Sequence, residues 1–394
     1  MDSADVLIVG AGPAGSAAAE TLRSEGFEGS ILLAGREPDP PYERPPASKS
    51  YLQGRSSKED ALLYPASFWA DQDIDLRVRT SVMKLDTEAR VATLSTKDEI
   101  AYGQALLATG SNVRRLRVDG GALEGIHYLR ALGNADAIRA DALQAEHIVL
   151  IGGSYIGCEV AASLTTMGKR CTIVAMEEAP LVAQFGSRAG GVFASLLSSN
   201  GIELVMGETL AGFSGSVERV SQVRLESGRS VDADMVVMGT GALPDVMLAR
   251  SAGLELGESG GVKCDASLRT SAEGVWAAGD VCEYDSVVHG RRLRVEHWEV
   301  ARAQGAFAAR AMLGADEPYS VIPYFWSDLA DWATIEYVGP AETWDREVLR
   351  SSDEGDFTIF YLADEVVVAA MTVGRPGDLD EARELMVSGA ALQA

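Results

Sequence analysis

Short runs of consecutive apolar residues recur along the first half of the chain, each followed by a glycine-rich turn and an alanine-rich or amphipathic stretch. That pattern predicts buried strands feeding helices. Asp5 to Val9 reads as a strand, Gly10-Ala11-Gly12-Pro13-Ala14-Gly15 as a turn, and Ser16 to Arg23 as a helix. A second strand, Ser30 to Ala34, ends at Arg36-Glu37. Five prolines between Pro38 and Pro46 predict irregular backbone there. The unit then recurs. His147 to Ile151 is a strand, Gly152-Gly153-Ser154-Tyr155-Ile156-Gly157 a turn, and Cys158 to Met167 a helix closed by Gly168. A strand from Cys171 to Ala175 runs on to Glu177-Glu178. Near Val321 the pattern changes. Thr334 to Val338, Phe357 to Leu362 and Val366 to Met371 read as strands and Leu379 to Leu385 as a short helix, so a small antiparallel sheet is expected.

Each glycine turn has a buried strand before it and a helix after it, the context that turns a weak G-x-G-x-x-G signal into a dinucleotide site. Gly10 permits the tight turn, Gly12 lets backbone approach a pyrophosphate, and Gly15 lets helix and strand pack closely. The positive end of the helix then faces phosphate. Glu37, 22 residues after Gly15, stands where a carboxylate reaches ribose hydroxyls. In the second turn Ser154 replaces the middle glycine, and it must either avoid positive φ or accept strain. Glu177 lies 20 residues after Gly157, again at the ribose distance. A carboxylate there repels a 2′-phosphate, which favours NADH over NADPH. No arginine occurs from Thr172 to Phe185, and Arg188 is the next one. The alternative is that Glu177 and Glu178 form a solvated turn.

At 394 residues the chain has room for two or three domains. The formal charge of −24 disfavours nucleic-acid binding. No stretch of about 18 apolar residues suggests a membrane span, and Asp2 and Asp5 stand where a signal peptide would be basic, so a cytoplasmic protein is expected. The cysteines, at 158, 171, 264 and 282, contain no C-x-x-C pair, and no metal-ligand spacing joins the histidines.

Further motifs extend the picture. They are Pro41-Tyr42-Glu43-Arg44-Pro45-Pro46-Ala47-Ser48-Lys49, Ala108-Thr109-Gly110 with Arg114, Gly241-Ala242-Leu243-Pro244, Gly274-Val275-Trp276-Ala277-Ala278-Gly279-Asp280, Glu296-His297-Trp298 and Phe325-Trp326-Ser327-Asp328. In this order they resemble the FAD-dependent pyridine-nucleotide oxidoreductases, in the branch of ferredoxin reductases and apoptosis-inducing factor. Ala47 departs from the leucine usual in that branch. The resemblance implies an α/β fold class with two Rossmann-like dinucleotide-binding domains and a small α+β C-terminal domain. FAD would be bound by residues 1–115 and 245–320, NAD(H) by 116–244, and 321–394 would form an interface domain.

By the same resemblance FAD would be held by Gly10, Gly12, Ala14, Gly15, Glu37, Arg44, Lys49, Val82, Arg114, Gly279, Asp280, His297 and Trp298. NADH would be held by Gly152, Gly153, Tyr155, Ile156, Glu177, Gly241, Glu296 and Glu336. Chemistry supports several of these roles. Arg44 and Arg114 suit a pyrophosphate, and Asp280 suits ribityl hydroxyls. A Lys49–Glu159 pair would hold both charges in place, since either alone and buried would cost several kcal/mol. Trp298 and Trp326 offer flat apolar walls for a ring, or are core residues. The implied catalytic group is Lys49, Glu159, Trp298 and Trp326, passing hydride from NADH to FAD.

No C-x₄-C segment and no cysteine near Pro45 to Leu52 is present to relay electrons, so they would pass directly from flavin to the acceptor. The favoured acceptor is a ferredoxin-type iron–sulfur protein serving an oxygenase, and the reductase would be a monomer or homodimer. Arg291, Arg292 and Arg294 form either a docking patch for it or a solvated hairpin tip. Two other readings remain open: a slow redox-sensing flavoprotein like apoptosis-inducing factor, and a direct reductase of a small acceptor such as a quinone.

Overall fold

Every residue of the strand His147–Ile151 is buried, as is the C-terminal half of Asp2–Val9, which explains why both read as unbroken apolar runs. The computed structural model describes residues 2–216, 218–352 and 355–393. By contacts the chain falls into two compact units. The first comprises Met1–Glu43, Leu62–Asn112 and Leu243–Phe325, and the second Arg44–Ala61, Val113–Ala242 and Trp326–Ala394.

In the first unit Asp2–Val9 pairs in parallel with Ile31–Ala34 on one side and Glu99–Leu107 on the other. Ile74–Arg77 extends the sheet beyond Ile31–Ala34, and Val275–Ala277 returns beside Glu99–Leu107. An antiparallel pair, Val82–Asp86 and Val91–Leu94, closes the other edge. The helix Pro13–Ser24 crosses the helix Trp298–Met312, and Gly305 lies so close to the Ala14 carbonyl that a side chain there would collide with it. This helix starts three residues earlier than the alanine pattern predicts. Pro13 lacks the N–H that a first turn leaves unpaired, and its φ is already helical.

In the second unit a parallel sheet runs in the order Glu203–Met206, Arg170–Ala175, His147–Ile151, Met235–Met238, Ile126–Tyr128. A small antiparallel meander, Leu210–Ser216, Arg219–Leu225 and Ser230–Asp232, lies in sequence between the sheet strands Glu203–Met206 and Met235–Met238. The helix after the second glycine turn spans Tyr155–Thr166, again three residues ahead of its expected start.

The C-terminal sheet has the order Tyr324–Leu329, Ala333–Val338, Val366–Val373, Phe357–Ala363, Arg346–Ser351, and the helix Gly377–Ser388 packs on it. Its first and last strands are edge strands that the hydrophobic pattern does not predict. Arg346–Ser351 buries no residue fully, so it carries no apolar run.

The proline-rich stretch is not wholly irregular as expected. Pro45–Ser48 forms a 3-10 turn whose first two positions are the prolines, and Lys49 follows at its end. The arginine cluster lies on a hairpin, the second of the two settings expected for it. Arg291–Leu293 is a strand pairing with Cys282–Ser286. Arg292 donates to Asp285 at 2.6 Å and to the Glu283 carbonyl, and Arg294 donates to Glu296 at 2.5 Å and to the Asp280 carbonyl. Arg292 and Arg294 thus each pair with a carboxylate of the same unit. Among the described residues no helix is long and apolar enough to cross a membrane.

Candidate functional site: two nucleotide turns and a buried ion pair

The two glycine turns are built alike. Gly10 has φ +115° and Gly152 φ +109°, and the N–H of each donates at 2.8 Å to the neighbouring strand, to Ala34 and Val174 respectively. A Cβ on Gly10 would collide with the Ala108 carbonyl oxygen, and one on Gly152 with that of Gly239. Gly12 sits at φ −80°, ψ −169° and Ser154 at φ −87°, ψ −176°. The serine therefore occupies the backbone conformation of the glycine it replaces without strain. Its hydroxyl leans toward the Gly239 carbonyl at 3.4 Å. Neither helix start receives a side-chain cap, so the first amides of both helices are left for an external acceptor.

In the first unit Glu37 follows the strand Ile31–Ala34 and accepts a hydrogen bond from Tyr42 at 2.5 Å. Asp280 accepts from Ser111 at 2.6 Å, just after Gly279, whose N–H donates to Gln304. Around this pair three buried nitrogens have no hydrogen-bond partner among the described residues: Gln304 Nε2, Arg294 Nε and His297 Nδ1. Buried polar groups are ordinarily hydrogen-bonded, so three unsatisfied donors and acceptors beside Asp280 fit a polar cofactor. Val82 is buried at the start of Val82–Asp86, and Glu296 is exposed. His297 precedes the helix Trp298–Met312 and packs its ring 4.2 Å from that of Phe325. Burial lowers its pKa to about 4, although the Asp280 charge opposes this. The imidazole is thus neutral at pH 7 and takes no part as an acid. Trp298 is half-buried.

In the second unit the structure brings Lys49 and Glu159 together. Lys49 Nζ lies 3.1 Å from Glu159 Oε1 and 3.8 Å from Asp328 Oδ2. Glu159 is only 5% exposed, on the inner face of Tyr155–Thr166. It also accepts from Ser48 Oγ at 2.6 Å and from Ser327 Oγ at 2.6 Å. Arg44 donates to the Arg130 carbonyl at 2.7 Å, and Arg114 is exposed with its N–H bonded to the Gly241 carbonyl. Gly153 is buried behind the turn, and Ile156 is exposed. Tyr155 sets its ring edge-on to Phe185, at 5.7 Å, and Phe185 lies 5.5 Å from Tyr337, next to Glu336. Burial raises the Tyr155 hydroxyl's pKa well above its ordinary value. Glu177, just beyond Arg170–Ala175, makes no hydrogen bond or ion pair with a described residue through its carboxylate. Arg188, the nearest arginine downstream, lies 3.5 Å from Glu347. Trp326 is half-buried on Tyr324–Leu329.

Nothing in the sequence singles out Ser48, Ser327, Asp328, Gln304 or Ser111. Ser48, Ser327 and Asp328 lie inside the family's motifs, but nothing in their spacing pairs them with Glu159 or Lys49, 111 to 279 positions away. All four cysteines are free and buried. Burial raises the Cys158 pKa strongly and that of Cys171 to about 11, so neither is a reactive thiolate.

Two sheets built around parallel strands, each with a glycine turn opening onto an uncapped helix, are the arrangement expected of an α/β protein with two dinucleotide sites. The comparisons agree. The family model for pyridine nucleotide-disulphide oxidoreductases matches residues 4–305, and the reductase C-terminal model matches 324–394. The chain belongs to the pyridine nucleotide-disulphide oxidoreductase family. It is 32% identical over 372 residues to a rubredoxin-NAD(+) reductase of Pseudomonas putida, covering 94% of this chain and 96% of the relative. Among solved structures it matches the ferredoxin reductase for the CYP199A2 system from Rhodopseudomonas palustris with a TM-score of 0.95 and 31% identity, over 100% of this chain and 96% of that one. It also matches the reductase of the covalent putidaredoxin reductase–putidaredoxin complex with a TM-score of 0.93 and 31% identity, over 100% and 94%.

Proposed function

We propose that the protein is a cytoplasmic FAD-dependent reductase that takes hydride from NADH and hands electrons to a ferredoxin-type iron–sulfur protein serving an oxygenase. The observation that carries this reading is the Lys49–Glu159 pair at 3.1 Å, in which Lys49 reaches the buried Glu159 of the helix Tyr155–Thr166, just after the second glycine turn. The relatives that reduce rubredoxin or ferredoxin, and the reductase joined covalently to putidaredoxin, supply the acceptor class.

FAD would be held by the first turn, Gly10 to Gly15, with Glu37 toward the adenosine ribose and Asp280 toward the ribityl chain. Arg44, Val82, Arg114, His297 and Trp298 complete its proposed contacts. The nicotinamide nucleotide would be held by the second turn, Gly152 to Ile156, with Gly241, Glu296 and Glu336. The three functional regions are those read from the sequence: 1–115 with 245–320, 116–244, and 321–394. When bound, FAD supplies the acceptor atom for hydride and the ability to release electrons singly. The chain supplies binding, alignment and charge. Lys49 presents an ammonium held by Glu159. Trp298 and Trp326 offer apolar walls that exclude water.

Two features favour NADH. The Glu177 carboxylate has no partner among the described residues and stands at the spacing expected of a ribose-binding carboxylate, and Arg188 pairs with Glu347. The buried thiols favour direct transfer from flavin to protein acceptor, with no disulfide step.

Stopped-flow spectroscopy of the purified yellow protein tests the reading. Rapid bleaching by NADH, followed by cytochrome c reduction that requires added ferredoxin, is the expected result. Slow bleaching with a persistent long-wavelength band would replace it with a redox sensor. Saturable turnover with quinone alone would replace the protein acceptor with a small one.

A further inference from the structure

The Glu159 carboxylate is held by more than lysine. Its Oε2 accepts from Ser48 Oγ at 2.6 Å, and its Oε1 accepts both from Ser327 Oγ at 2.6 Å and from Lys49 Nζ at 3.1 Å. Ser48 and Ser327 are 3% and 1% exposed, so water does not compete for the carboxylate from their side. Ser48 Oγ also lies 3.2 Å from the Pro45 carbonyl, but the shorter, charge-assisted bond takes the proton. The same helix grips this turn twice. Ser163, four residues after Glu159 and hence on the same face, donates to the Ser48 carbonyl at 2.7 Å, and Gln53 donates to Ser163.

We infer that Ser48 and Ser327 are positioning residues that fix the Glu159 carboxylate, and through it the Lys49 ammonium, for hydride arrival. The inference deepens the reductase reading and rests on it. The physical reason is geometric. A carboxylate with one ammonium partner swings about that contact, whereas two hydroxyls on opposite oxygens leave it a single orientation. Asp328, 3.8 Å from Lys49 Nζ, would otherwise compete for the lysine. Ser327 comes from the strand Tyr324–Leu329, so the C-terminal region supplies one of the two locks.

The test is a double-mutant cycle on the flavin-loaded protein. Ser327→Ala and Ser48→Ala should each slow NADH-driven flavin reduction roughly tenfold, the effect of one charge-assisted bond, with the KM for NADH unchanged. In a Glu159→Gln background the serine substitutions should add little, because what they position is gone. Ser327→Thr keeps the hydroxyl on a strand that accepts β-branching and should restore most of the rate. A second readout does not depend on turnover. The chain has six lysines, so selective ¹⁵Nζ labelling gives few ammonium signals. The slowly exchanging one lost in Lys49→Ala should also be lost in Ser327→Ala and kept in Ser327→Thr.

Serine effects that add fully to Glu159→Gln, or alanine variants that keep both the rate and the ordered ammonium signal, would overturn the positioning role. Failure of the reductase reading looks different: the wild-type protein itself would not be bleached quickly by NADH.

Discussion

Glu177 and His297 show how a single side chain's surroundings decide its use. The Glu177 carboxylate has no partner among the described residues, so under the proposed reading it would be open to a ribose and would repel a 2′-phosphate. Glu177→Ala should bring the kcat/KM values for NADH and NADPH closer by about tenfold, near the low end of one like-charge contact. Steady-state kinetics with both nucleotides checks this, and an unchanged ratio removes Glu177 from the ribose. His297 titrates near 4 because burial disfavours its charged form. Its pKa in the folded protein lies below the ordinary value of about 6.5. Its contribution to stability is therefore complete above pH 6.5 and drains away as pH falls toward 4. His297→Asn should flatten that acid loss by on the order of 1–2 kcal/mol, since the half-buried ring is partly screened. Urea melts at pH 7 and pH 4.5 would show it, and parallel losses in both proteins would refute it.

The working elements are the strand–turn–helix units, and their weak points are backbone. Gly10 and Gly152 hold φ values closed to side chains, and each turn packs against a neighbouring carbonyl. Gly10→Ala should lower stability by roughly 2–4 kcal/mol and release the flavin. Gly152→Ala should cost a similar amount but weaken NADH, leaving the flavin bound. Absorbance of the purified variants and calorimetric titration with NADH separate the two outcomes. Flavin lost equally from both variants would mean that the two turns do not serve separate nucleotides. The 3-10 turn Pro45–Ser48 matters for a different reason. Its two prolines pre-set the bend that brings Ser48 and Lys49 to Glu159.

For the molecule as a whole, electron flow is constrained by where sulfur is. Cys158 and Cys282 are fully buried, their pKa values pushed far up by burial, and the structure holds no disulfide among the four cysteines. A thiol reagent should therefore find almost no fast-reacting group in the native protein and four after unfolding. Replacing all four by alanine or serine should leave flavin reduction within about twofold, given only modest repacking. A prompt one- or two-thiol reaction that also stops turnover would restore a cysteine relay.

Much of this was legible in the residues themselves. Fully buried parallel strands appear as apolar runs, and a turn that needs positive φ must spend a glycine. Both signals are local, so the two strand–turn–helix units could be located from spacing alone. Edge strands such as Arg346–Ser351 escaped because an edge buries too little to leave a pattern. What tertiary structure alone decided was the company each polar group keeps. Glu159 meets hydroxyls 111 and 168 positions away, and Arg294 spends its charge on Glu296 and a carbonyl. Hydrogen bonding acts over about 3 Å in space and carries no signature along the chain, so only the folded backbone could say which side chains would share it.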